Sequence, residues 1–164
     1  MAELFRFPNP VNEVSARLVA GGVVVLCAAT LVFDQPLLLV PLAYGFVARV
    51  LTGPTLSPLG RLVTEVVTPR LPVDGKLVAG APKRFAQGIG ATLSLTATVL
   101  HFGFGAAGAA DILVAAILVA ATLESVFGFC LGCTIFAVLM RVHVIPESVC
   151  EECNDIWSRN SIAA

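Results

Sequence analysis

Apolar residues run through this chain in four long blocks separated by short polar breaks. The first covers about 15–33 (SARLVAGGVVVLCAATLVF) and the second about 36–51 (PLLLVPLAYGFVARVL). The third and fourth cover about 85–104 and 111–140. A bilayer-crossing helix needs ~20 apolar residues, so the pattern predicts four transmembrane helices. Helices are expected because backbone groups in lipid must bond within their own segment. Between the first two blocks, DQP makes a tight turn with Pro36 at the first position of the next helix. Pro41 is expected to kink that helix.

The stretch between the second and third blocks is patterned too. Ser57 can cap a helix with Pro58 at its first position. Leu59, Leu62, Val63, Val66 and Val67 then share one face, opposite Arg61, Thr64, Glu65 and Thr68. This predicts a short amphipathic helix over about 57–68, lying on the membrane surface and covering the inner end of the bundle. The following PVDGKLVAGAPKR reads as a Pro/Gly-rich linker. A faint repeat relates Arg17-Leu18 to Arg84-Phe85, Gly21 to Gly88, and Gly45-Phe46 to Gly128-Phe129. The expected fold is therefore all-α and integral to a membrane. Two tandem helical hairpins of parallel topology fill residues 1–141, with a cysteine-containing tail over 142–164.

Composition agrees with lipid as the solvent. The 164 residues are 57% hydrophobic and 13% charged, against about 25% charged in soluble domains. A net charge of −1 gives no basic excess for nucleic acid. The first block lacks a signal-peptide cleavage site and is kept as a span. Arg49, Arg61, Arg70, Lys76, Lys83 and Arg84 lie between the second and third spans, Arg6 and Arg17 before the first, and Arg141 and Arg159 after the last. The loops around Asp34 and Asp111 hold no Lys or Arg. The positive-inside rule then places both termini and the central loop in the cytoplasm.

The candidate chemistry lies in two Cys-x-x-Cys pairs, Cys130/Cys133 and Cys150/Cys153. At ~1.5 Å per residue across ~30 Å, the fourth span reaches the cytoplasmic interface near the first pair. Both pairs then face a reducing compartment, where structural disulfides are not expected. Three readings stay open. Gly128, Cys130, Gly132 and Cys133 are all small and let helices approach closely; Cys27 is read as packing in the same way. A reactive thiol pair for redox or sulfur transfer is the second, because i,i+3 cysteines approach disulfide geometry where a helix starts or breaks. The third is zinc held by Cys130, Cys133, Cys150 and Cys153, with His143 as a substitute ligand.

Other residues bear on these readings. Glu124, six residues before Cys130 and roughly mid-membrane by this count, is either functional or a neutral packing group. Arg49 and Arg84 lie on the cysteine side, where they suit an anionic sulfur species or a thiolate. His101, alone in the third span, reads as a bonded core residue. The acidic CEECNDIW tail suits a solvated segment with Trp157 returning to the interface, or a second station for the first pair.

KRFAQGIGA opening the third span, GFCLGC near the end of the fourth and TGPTLSPLGRL after the second resemble a bacterial membrane family known as domain of unknown function 4395. ARLVAG stands where that family tends to have an RFNQ-like segment, and the CEEC tail lies outside the resemblance. The resemblance implies an inner-membrane location and partners among thioredoxin-like proteins and rhodanese-type sulfurtransferases, with Cys130 and Cys133 as candidate reactive residues.

The leading expectation is thiol-based handling of sulfur or reducing equivalents at the cytoplasmic membrane face. A non-catalytic assembly subunit with packed or zinc-bound cysteines is the alternative. A dimeric transporter of an anionic sulfur compound comes third, since four spans are few for a monomeric pore. No P-loop, dinucleotide or HExxH motif is present, and zinc is the one cofactor the spacing admits.

Overall fold

Residues 9–72 and 75–149 are described in the computed structural model; Cys150, Cys153 and Trp157 lie outside the described residues. The chain is mostly helical. Six α-helices follow one another: α1 Glu13–Val32, α2 Leu39–Thr52, α3 Pro58–Arg61, α4 Gly80–Phe104, α5 Ala107–Phe127 and α6 Leu131–Arg141. A two-residue antiparallel ladder joins β1 (Val11–Asn12) to β2 (Leu77–Val78). It brings the starts of α1 and α4 side by side.

Local chemistry explains the boundaries. Asn12 caps α1, its side-chain oxygen accepting from the backbone N–H groups of Val14 (2.9 Å) and Ser15 (3.4 Å). Pro36 opens a 3₁₀ turn, Pro36–Leu38, that leads into α2. Pro41 therefore stands in the first turn of α2, where its missing N–H would have had no intrahelical partner, so it caps rather than kinks. α4 begins at Gly80, five residues before the expected Phe85, and ends where Gly105 turns left-handed (φ 66°).

The two ends of the bundle differ. The starts of α1 and α4 and the ends of α2 and α5 share one end. Here Arg17 Nε donates to the Ser125 carbonyl (3.2 Å) and Arg84 Nε to the Val50 carbonyl (2.9 Å). These bonds are equivalent, because Ser125 and Val50 each precede by three residues a positive-φ glycine ending its helix, Gly128 (φ 69°) and Gly53 (φ 64°). The internal repeat is thus visible in three dimensions, but in another register than Gly45-Phe46 with Gly128-Phe129. Gly53 is the counterpart of Gly128, and Arg49 the counterpart of Glu124.

Packing interleaves the two halves. α1 lies along α5, and α2 along α4; α4 also lies along α5, while α1 and α2 meet little beyond their turn. The first pair is therefore an open hairpin that grips the second. Val23, Cys27, Leu42, Phe46, Ala97, Val114 and Ile117 form the shared core. Gly90 lets the Phe46 ring lie against α4 where a Cβ would collide with it.

Two helices, Glu13–Val32 and Ala107–Phe127, are long and apolar enough to cross a membrane, and only 33% and 22% of their most apolar stretches are buried. The outward faces carry large apolar side chains, among them Val32, Phe33, Phe104, Ile112 and Phe127. Contiguous exposed apolar surface of this kind marks contact with lipid or a partner.

Two expected elements are corrected. The fourth block is not one helix over 111–140. α5 stops at Phe127, Gly128 turns left-handed, and α6 starts afresh after Cys130. With 11 residues, α6 reaches only ~16 Å. The segment after Ser57 is helical as expected, yet changes pitch, with α3 running into a π-helical stretch Leu62–Val67 and a 3₁₀ turn Thr68–Arg70. It covers the end of the bundle through Leu59, which packs beside Gly22, and through a Ser15–Thr68 hydroxyl pair (2.9 Å). Leu62, expected on the apolar face, points outward.

Candidate functional site

Cys130 occupies the N-cap of α6. Its backbone is extended (φ −93°, ψ 106°), and its Sγ accepts from the Cys133 N–H at 3.4 Å. Cys133 follows three residues later, half-buried, and both thiols are free. The break at Gly128 produces this geometry: a positive-φ glycine ends α5, Phe129 follows, and Cys130 caps a new helix. The Cys-x-x-Cys pair thus sits at a helix start, where N–H groups point at the sulfur and the helix dipole favours negative charge. Gly132 brings α6 against α4, since a Cβ there would stand 2.5 Å from Ala86. Phe136 then packs on Phe85, with ring centroids 5.5 Å apart.

Ser57 is the counterpart of Cys130 in the first half. It caps α3 by accepting from the Gly60 N–H at 3.2 Å, three residues on, as Cys130 does from Cys133.

Beside Cys130 stands an ion pair. Lys83 Nζ, in the first turn of α4, donates to Glu124 Oε1 at 2.5 Å, with side chains 11% and 14% exposed. Both charges act on the two thiols. Glu124 is near the end of its helix and not at the helix middle. It lies in the last turn of α5, where the helix dipole disfavours a carboxylate, and Lys83 offsets that cost. Lys83 was legible only as one of the positive charges that orient the chain. A buried carboxylate calls for a cation, and the Lys83-Arg84 pair at the start of α4 was the available one.

Arg49 stands one position over, in the last turn of α2. It is 6% exposed. Its Nε donates to Gln87 Oε1 (2.8 Å), its Nη1 lies 3.4 Å from Ser57 Oγ, and its guanidinium carbon lies 4.6 Å from the Phe46 ring centroid. Arg84 donates to the end of α2, as Arg17 does to the end of α5.

Two cavities meet at this layer. One of about 280 Å³ runs between α1, α2, α4, α5 and α6, apolar for most of its length, with Glu124, Gln87 and Cys130 on its wall. The other, about 170 Å³, opens at the end of the bundle and is lined by Asn12, Ser15, Thr64, Arg49, Lys83 and Gln87. Gln87 and Val19 line both.

The remaining candidates stand apart. Cys27 is wholly buried in the core, and Cys150 and Cys153 fall outside the described residues. His101 packs edge-on against Phe102 (5.0 Å), and His143 is exposed beyond α6. Among the described residues, no group of three or more His, Cys, Asp or Glu gathers to hold a metal. Cys130 and Cys133 supply two ligands of the four that a zinc site would require.

No curated protein and no solved structure matches the chain. A family does, over residues 11–141, a range that takes in α1 to α6 and ends at the last residue of α6: the chain belongs to the family described as domain of unknown function (DUF4395).

Proposed function

We propose that this is a four-span membrane protein that uses the Cys130/Cys133 pair to handle sulfur or reducing equivalents at the cytoplasmic face of the bacterial inner membrane. The observation that carries the reading is Cys130 itself: a thiol at a helix N-terminus, on a cavity wall, beside a Lys–Glu pair. The Cys133 N–H at the helix start and the Lys83 ammonium favour a thiolate there, while Glu124 and burial oppose it. In sulfur transfer, the Cys130 thiolate attacks the outer sulfur of a donor, the donor's S–S bond breaks, and its remainder leaves as an anion. Cys130 is left as a persulfide, and the sulfur then passes to an acceptor thiolate. In redox use, the two thiols give two electrons and two protons to a partner disulfide and close as Cys130–Cys133.

The four spans are α1, α2 with its preceding turn, α4 and α5; α3 and α6 lie at the interface. The charge distribution supports this orientation. Arg17, Arg49, Lys83 and Arg84 gather where the ends of α2 and α5 meet the starts of α1 and α4. The turns at 33–36 and 104–107 hold no Lys or Arg. Partners of thioredoxin-like or rhodanese type would then reach the thiols from the cytoplasm.

The test is intact-mass spectrometry of the purified protein, before and after alkylation, with thiosulfate or a persulfide donor. An added sulfur or a disulfide mapping to Cys130 or Cys133, and absent in Cys130→Ser, is the expected outcome. Cys130→Ser should insert and fold normally, because serine is the better N-cap and Ser57 already fills the equivalent place. Thiols that stay free and inert would leave close packing as their role, and a stoichiometric zinc mass would make the protein a metal-stabilised subunit.

A further inference from the structure

Three ionisable side chains are largely buried at the cation-rich end, and their charges do not cancel. Lys83 and Glu124 neutralise each other across 2.5 Å. Among the described residues, Arg49 has no carboxylate in contact: its partners are the Gln87 amide oxygen, the Ser57 hydroxyl and the Phe46 face. Glu124 reaches it only through space and is already paired. Glu65 is taken by Arg61 at the exposed surface (3.2 Å), and Glu13 lies beside Gly128 and Arg17. The carboxyl end of α2 offsets part of the Arg49 charge, about half a unit at most. A buried guanidinium without a counter-ion is costly, and such charges are as a rule paired or bound to something that pairs them.

The space beside Arg49 fits that need. It is the 170 Å³ vestibule, open at the end of the bundle and mostly apolar, with the polar groups of Asn12, Ser15, Thr64, Arg49, Lys83 and Gln87 set into its wall. The Gln87 oxygen is occupied by Arg49 Nε, which leaves the Gln87 amide nitrogen to donate. Arg49, with five N–H groups in a planar fork, has donors to spare after its two bonds. Lys83 lines the same wall with its charge already paired to Glu124, so Arg49 is the unbalanced charge of the vestibule.

We infer that the vestibule is an oxyanion-binding site, with Arg49 as its forked ligand and Gln87 as second donor. The ligand class is a small tetrahedral oxyanion group, sulfate-like in size, either free or carried as a lipid headgroup phosphate. This site stands whether or not Cys130 reacts. If both readings hold, Gln87 is the partition between the bound anion and the chamber that holds the thiol.

The test measures the melting temperature of the detergent-purified protein against sulfate, with chloride at matched ionic strength as reference. A ligand at a hundredfold excess over its Kd raises Tm by roughly 5–10 °C in a chain of this size, saturably, and chloride does not. Arg49→Lys keeps the charge but loses the fork, and should weaken the response at least tenfold; Gln87→Met should weaken it while leaving Arg49 in place. To separate the two sources, the titration is repeated in nanodiscs of zwitterionic and of anionic lipid. A sulfate response equal in both identifies a free oxyanion. A response abolished by anionic lipid, with a phospholipid retained in native mass spectra of wild type and lost in Arg49→Lys, identifies a headgroup. No response and no retained lipid in wild type, or a response unchanged in both variants, overturns the site. The same titration in Cys130→Ser separates the readings, since loss of thiol chemistry with the sulfate response intact refutes neither the site nor its ligand class.

Discussion

The Lys83–Glu124 pair admits a quantitative test by double-mutant cycle. Removing Lys83 as Lys83→Met leaves a carboxylate only 14% exposed in its side chain, at the carboxyl end of α5, where the helix dipole repels it. Glu124→Gln leaves Lys83 and Arg49 as neighbouring buried cations with no carboxylate between them. Breaking a buried pair by removing one partner costs about 3–5 kcal/mol, whereas replacing both by apolar or neutral groups of similar size is close to neutral. The pair is slightly solvated, so about 3 kcal/mol is the expectation for each single variant and about 1–2 kcal/mol for the double. The coupling then exceeds about 3 kcal/mol. At roughly 2–4 °C per kcal/mol for a chain of this length, each single variant should melt roughly 6–12 °C below wild type, and the double should recover most of that. The assay is the helical circular-dichroism melt in detergent, with size-exclusion elution checking that each variant is monodisperse beforehand. Additive losses, with the double variant melting below either single one, would refute the pair as the element that joins α4 to α5.

Two further outcomes follow from backbone and packing. Gly128 and Gly53 both have positive φ, but Gly128 sits in the left-handed helical region (ψ 12°) and Gly53 does not (ψ −136°). Asparagine tolerates the first region and not the second, so Gly128→Asn should cost under about 1 kcal/mol and Gly53→Asn clearly more, read as paired melts. Gly132→Ala should push α6 off α4 at Ala86, costing about 1–3 kcal/mol. Because Cys130 lies two residues away, its alkylation should quicken; an unchanged rate would mean that α6 does not rely on that contact.

Much of this architecture could be read from the chain because lipid imposes simple rules. The apolar blocks, their separating turns and the segregation of Lys and Arg are one-dimensional signals, and the boundaries of α1 and the end of α4 follow them closely. Gly128 and Gly132 offered a break beside the cysteines, but GFCLGC is as apolar as its flanks, so the fourth block still read as one span. A single glycine at φ 69° divides two helices there, and hydropathy does not register φ. The pairing of α1 with α5 and α2 with α4 was equally hidden, since short turns argue for neighbours in sequence. It is fixed by long-range contacts such as Arg17 to Ser125 and Arg84 to Val50. The same contacts explain why Arg84, expected near a sulfur anion, binds a helix end. Lys83 and Gln87 became site residues only when α4 was seen to start at Gly80, which places both on helical turns facing the interior.

The repeat gives the cysteine its meaning. Both halves end a long helix with a positive-φ glycine and start a shorter helix on an N-capping side chain. In the first half the cap is Ser57, a residue that capping alone favours. In the second it is Cys130, whose sulfur is a weak acceptor and whose N–H···S contact is long at 3.4 Å. Capping therefore does not account for a cysteine here. Nor does packing, which explains Gly132 against Ala86 but asks nothing of a thiol at the cap. Four residues before each glycine the halves diverge again, Arg49 in one and Glu124 in the other. One half thus carries a hydroxyl beside a cation, the other a thiol beside a Lys–Glu pair. A common scaffold with chemically unlike stations at equivalent points is what a protein needs if an anion is held on one side of Gln87 and a thiol waits on the other.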